Sequence, residues 1–231
     1  MSQRLIAPPP PYQMAGGDHV QIGVVWDNSV AARLPLGLRP ATGMTGGVNI
    51  YRTTQARVIK PYSSAYLWLD VEGHDSPEGF KGRWMLAGVY GPEPITAAAL
   101  SEHCHLPVRN GSSRFEQTSG QRRAIGTLEG RDWITAEITQ GTGDYAPTEA
   151  LLNYVTSVPA DGRLMLVEVP FAAEARAAKA VSVTIDAPAG DAFAGLRIVR
   201  LDWALEVRDD AFSICFPRPI GGELASGSRC L

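Results

Sequence analysis

The chain has 231 residues, 45% hydrophobic and 19% charged, which suits one large core or two small ones, and β-rich folds often reach this length as one domain. A net charge of -3 offers no basic surface for nucleic acid, and no apolar run reaches the roughly eighteen residues a membrane helix needs. Cys104, Cys215 and Cys230 are too few and too scattered for a disulfide framework, and with no apolar signal core they point to reduced thiols in a cytoplasmic protein.

Residues 1–18 are rich in proline and glycine and read as a flexible, extended leader. From His19 the texture changes to short β-branched and aromatic runs separated by turn residues. Strands are expected over 20–26, 48–52, 64–71 and 83–90. Asp27 caps a short helix over 30–34 that Pro35 stops. One alanine-rich helix starts at Pro94, covers 95–103 and ends before Pro107. Further strands are expected over 113–117, 122–128, 133–139, 164–169, 181–185, 197–207 and 212–216, with short helices over 172–180 and 191–196. Many strands around one helix argue for an all-β-dominated α+β fold, a closed barrel or a sandwich. The expected division is one domain over 19–220 followed by a tail over 221–231.

Three segments together carry a resemblance. They are residues 27–38 (DNSVAARLPLGL), residues 61–66 (PYSSAY), and Gly91-Pro92-Glu93-Pro94 with the helix and Pro107-Val108-Arg109 that follow it. In content and spacing they resemble the acetoacetate decarboxylase superfamily over roughly 19–220. The resemblance implies a closed antiparallel β-barrel around a deep apolar pocket, often assembled into oligomers through its outer strands. In that family one lysine forms a Schiff base with a β-keto acid, and a second lysine depresses its pKa, a known property of the enzyme. Matched position by position, Val108 stands at the first lysine and Arg109 at the second. Ser64 stands at the strand-entry glutamate, Asn49 near another acidic residue and Asp27 near the pocket arginine. Valine cannot attack a carbonyl and arginine stays protonated, so imine chemistry is not expected. Lys60, Lys81 and Lys179 are the remaining lysines. Lys60, at a strand entry, is the one that could enter the pocket from another wall, although a solvated loop lysine is the plainer reading.

The implied pocket takes its polar lining from Asn49, Tyr51, Tyr62, Ser64, Tyr66, His105, Arg109 and Glu116. Strand alternation places Asn49 with Tyr51, and Ser64 with Tyr66. The expected catalytic set is Arg109 clamping an anion, Glu116 or His105 moving a proton, and Tyr66 steadying an enolate oxygen. Asn49, Tyr51, Tyr62, Ser64 and Val108 are expected to contact substrate. Plainer roles exist for each: an Arg109–Glu116 pair, His105 at a helix C-terminus, tyrosines as core. His103-Cys104-His105 lacks metal-ligand spacing, and His74-Asp75 reads as a turn or part of a lid. Gly43 to Gly47 is not a phosphate loop, and no nucleophile elbow is present. The expected function is therefore cofactor-independent lyase, hydratase, isomerase or cyclase chemistry on a small or medium oxo acid, carbonyl or carboxylate compound. The alternative is a non-catalytic small-molecule-binding protein.

Overall fold

The computed structural model describes residues 6–188, 191, 193–221 and 230. In chain order the strands are β1 (Tyr12–Trp26), β2 (Thr45–Arg52), β3 (Gln55–Arg57), β4 (Ser63–Val71), β5 (Gly82–Gly91), β6 (Val108–Thr118), β7 (Gln121–Leu128), β8 (Arg131–Thr139), β9 (Ala146–Ser157), β10 (Leu164–Ile185), β11 (Ile198–Ile214) and β12 (Arg218–Pro219). One α-helix, α1 (Pro94–Cys104), joins β5 to β6, and a 3₁₀ turn over Asn28–Arg33 follows β1.

The centre of the fold is a four-strand antiparallel wall, β1–β2–β4–β5. It is covered on both faces, so its strands are buried almost end to end instead of alternating with solvent. Alternate residues feed two separate cores. Val48, Ile50, Ala65, Leu67, Ala87 and Val89 enter one, while Tyr51, Tyr66, Trp68, Met85 and Tyr90 enter the other. From the wall the pairing continues along two routes. One runs β5–β6–β7–β8, then the C-terminal part of β10, then β11 and back to β1. The other leaves β5 for β9, passes to the N-terminal part of β10 and reaches β11 as well. The result is a mostly antiparallel ring with β5 paired in parallel to both β6 and β9, where a wholly antiparallel closed barrel was expected.

The helix expected over 172–180 is part of the 22-residue β10. Alanine-rich sequence favours helix, but here both edges of the strand find partners: β9 and β8 on one side, β11 on the other. Residues 193–195 form a turn where a helix was expected over 191–196. β9 has no counterpart among the expected strands, since its opening, Pro147 to Leu151, has helix-like composition. β1 starts at Tyr12, inside the expected leader, and Ala7 is buried against α1 residues. His103 Nε2 lies 2.9 Å from the Ala7 carbonyl oxygen, and the Tyr12 hydroxyl donates to the Pro8 carbonyl at 2.7 Å. Cys215 and Cys230 form a disulfide, which corrects the expectation of three free thiols. Other residues of the expected tail, 222–229 and 231, lie outside the described residues. Among the described residues no helix is long and apolar enough to cross a membrane.

The junction of β10 and β11 is fixed by Glu206, which is 1% exposed. Its carboxylate accepts from Arg176 Nε at 2.6 Å, Gln140 Nε2 at 3.1 Å and the Gly141 N–H at 3.3 Å. A charge this deep is tolerable only because several donors replace its water. Glu206→Ala would leave Arg176 and the neighbouring Arg122 without their buried counter-charge. It should lower stability by about 3 kcal/mol in urea unfolding, against about 0.5 kcal/mol or less for exposed Val199→Ala.

Candidate active site

The tyrosine-rich side of the wall forms a small cavity of about 40 Å³ that is partly open to solvent. β1 contributes His19 and Gln21, β2 Asn49 and Tyr51, β4 Tyr66, β5 Tyr90 and β9 Tyr154. These positions follow from strand alternation on the shared wall: residues 19 and 21, 49 and 51, and 66 each face away from the aliphatic core. Leu106, Val167, Val169 and Phe212 complete an otherwise apolar lining.

Within it lies a buried histidine–carboxylate pair. His19 Nε2 is 2.8 Å from Asp210 Oδ2, and the two side chains are 3% and 0% exposed. An ionised carboxylate only accepts, so the Nε2 proton points at Asp210 and Nδ1 carries the other role. Nδ1 is buried without a hydrogen-bond partner. The ring is held flat against Tyr51, with centroids 4.7 Å apart and planes 12° apart. The Asp210 carboxylate fits because residue 17 is glycine: a Cβ there would fall within 1.8 Å of its Oδ1.

Around the dyad the phenols bond to one another. Tyr51 and Tyr62 hydroxyls are 2.9 Å apart, and those of Tyr66 and Tyr154 are 2.7 Å apart. Asn49 Nδ2 donates to the Tyr66 hydroxyl at 3.1 Å, and Arg83 donates to that of Tyr154 at 3.4 Å. Each phenol has one proton, and each pair spends one on its internal bond. Each pair therefore keeps one further O–H, and Tyr51, Tyr66 and Tyr154 line the cavity. Burial, followed by the proximity of the other phenols, pushes Tyr51, Tyr62, Tyr66 and Tyr90 well above the ordinary phenol range, so all four are neutral donors at neutral pH. Arg83 sits behind this layer, its guanidinium 4.5 Å from the Trp68 ring.

Of the residues expected from the sequence, the structure brings Asn49, Tyr51 and Tyr66 to the cavity. Tyr62 is one bond behind Tyr51, and Ser64 is fully buried on the same face of β4. Val108 packs half-buried against the tyrosine core. Arg109 does not line the cavity. As the next residue of β6 it turns to the opposite side, where it pairs with Asp191 at 3.0 Å and lies 4.2 Å over Phe193. The anion clamp expected of it is corrected accordingly. Glu116 is on the exposed β6–β7 hairpin, within 3.3 Å of both Arg114 and Arg123. His105 ends α1 in a left-handed conformation (φ 56°), its N–H donating to the Leu100 carbonyl. Lys60 is exposed and 3.2 Å from Glu93, while Lys81 pairs with Asp75 and Lys179 is exposed on β10. Burial lifts the Cys104 thiol to about 12, which leaves it inert. His19, Asp210, Tyr90, Tyr154 and Arg83 were not singled out in the sequence. A signal existed for His19, a polar residue among the β-branched residues of β1, but its partner lies 191 positions away.

No family model matches the chain, and no curated protein matches its sequence. Solved structures do. The acetoacetate decarboxylase of Legionella pneumophila superposes with a TM-score of 0.72 at 14% identity, covering 97% of this chain and 93% of that one. MppR, an enduracididine biosynthesis enzyme solved with pyruvate, gives 0.69 at 16% identity, covering 94% and 93%. An acetoacetate decarboxylase-like enzyme from Sphingomonas wittichii RW1 gives 0.63 at 14% identity, covering 94% and 95%. The chain has the acetoacetate decarboxylase superfamily fold.

Two outcomes follow from this geometry. The folded state raises six phenol pKa values, with Tyr51, Tyr62, Tyr66 and Tyr90 pushed well above the ordinary range, so above about pH 10 the unfolded chain releases protons first. Stability should hold in full below about pH 10 and fall above it, with the phenolate absorbance of these four tyrosines rising only as circular dichroism is lost. Titration of all seven tyrosines without unfolding would mean a water-filled site. Second, alanine in place of glycine normally stabilises a strand by about 0.5–1 kcal/mol. Gly17→Ala should instead destabilise by about 2 kcal/mol in urea unfolding, because Asp210 is forced off His19.

Proposed function

We propose that the chain is a cofactor-independent enzyme of the lyase, hydratase, isomerase or cyclase kind, acting by proton transfer next to a carbonyl. The observation that carries this reading is the buried His19–Asp210 pair with an unpartnered Nδ1 in the wall of a cavity ringed by phenols. In it, His19 Nδ1 takes a proton from the carbon adjacent to the carbonyl. The electron pair moves to the carbonyl oxygen, and the spare O–H of the Tyr66–Tyr154 or Tyr51–Tyr62 pair donates to that oxygen. Return of the proton to the same carbon, to another carbon, or loss of a leaving group would distinguish the reaction kinds. Asp210 is a positioning residue: it orients the imidazole and stabilises the imidazolium while charge is separated. The mainly apolar lining strengthens each of these interactions relative to water. Substrate contacts are assigned to Asn49, Tyr51 and Tyr66. An imine route has no support, since every lysine lies exposed.

The test is NMR of the protein with a panel of ketones, β-keto acids and α-keto acids in deuterated water. Wild type should place solvent deuterium at the carbon beside the carbonyl, and His19→Ala should slow this at least about 100-fold. Arg109→Ala should leave it unchanged, because Arg109 is engaged elsewhere. Ligand binding without exchange would instead establish the alternative, a non-catalytic binding protein.

A further inference from the structure

Beside the first cavity lies a second, larger and more open one of about 700 Å³. Phe171 and Phe212 line both. They stand directly opposite each other on β10 and β11, with ring centroids 6.4 Å apart. On the inner side Phe171 comes within 5.9 Å of the His19 ring and Phe212 within 5.9 Å of the Tyr51 ring. Two aromatic rings are thus the partition between the dyad and the outer groove. Past them the groove is mainly apolar, with Met14, Ala150, Leu151, Pro170, Ala172 and Ala211 along it.

The charges point the same way. Among the described residues, the ionisable groups along the groove are Glu78, from the loop after β4, and Glu149 on β9, both exposed. Among the described residues no lysine or arginine lines either cavity, and Asp210 stands behind His19. A carboxylate entering here would lose its water, meet no cation and pass two acidic side chains. A neutral carbonyl compound meets none of these penalties. Its oxygen finds phenol donors, and an apolar tail gains the groove.

Resting on the proton-transfer reading above, we propose that the substrate is a neutral carbonyl compound with an apolar tail. Its carbonyl end sits beside His19, and its tail runs past Phe171 and Phe212 into the outer groove. The lining residues then divide by function: Asn49, Tyr51 and Tyr66 recognise the oxygen, while Met14, Leu151 and Ala211 measure the tail.

The probes are straight-chain methyl ketones of about four to eleven carbons, with matched fatty acids at neutral pH, each followed for dissociation constant and deuterium exchange. Lengthening the ketone should tighten binding about three- to fourfold per methylene until the groove is filled. Each fatty acid should bind at least about tenfold more weakly than its ketone. Ala211→Trp, a change at an exposed position, should remove the gain contributed by the distal methylenes. Affinity independent of length, or fatty acids binding as well as ketones, overturns the proposal. Exchange into short ketones with no effect of length overturns the tail subsite and leaves the proton-transfer reading standing. Length-dependent binding without exchange upholds the subsite and overturns the catalytic reading, and no binding by any ketone overturns both.

Discussion

The structure depends on one wall being covered on both faces. β1, β2, β4 and β5 send alternate side chains into two cores, so every residue of the wall has a defined environment and a shift of register by one residue would exchange aliphatic and phenolic faces. That constraint explains why β4 is buried through six consecutive residues. It also explains the glycines beside it: a Cβ at Gly47 would fall within 2.2 Å of the Trp68 ring, which has to lie across β2. The long β10 and β11 then contribute to both cores at once.

The same wall creates the candidate site. A buried carboxylate and an imidazole would each be costly alone, and the 2.8 Å contact between them offsets part of that cost. The phenols solve a similar problem by bonding in pairs, which leaves unspent hydroxyl protons in an apolar surrounding. Such groups are preorganised: they need no reorientation when charge develops on a ligand. Val108 packs against the tyrosine cluster, and the polar groups of the cavity come from the strands of the wall and from β9. The position of the cavity and the chemistry available in it are therefore separable properties of this fold.

What the sequence determined by itself was local. Short β-branched runs, the proline at the start of α1, the caps and the turn glycines identified most strands and the one helix, because those signals act within a few residues. Alternation along β2 and β4 likewise placed Asn49, Tyr51 and Tyr66 on one face. Only the tertiary structure decided the rest. It made residues 172–180 a strand by offering partners to both edges, it turned Arg109 away from Val108, and it recruited Tyr154 from a strand that composition disguises as helix. Above all it joined His19 to Asp210, since a contact between the first strand and the last long one leaves no trace in the residues near either. Pairing across a sheet is set by the burial of whole faces, and that information is distributed over the chain, not held at the positions that meet.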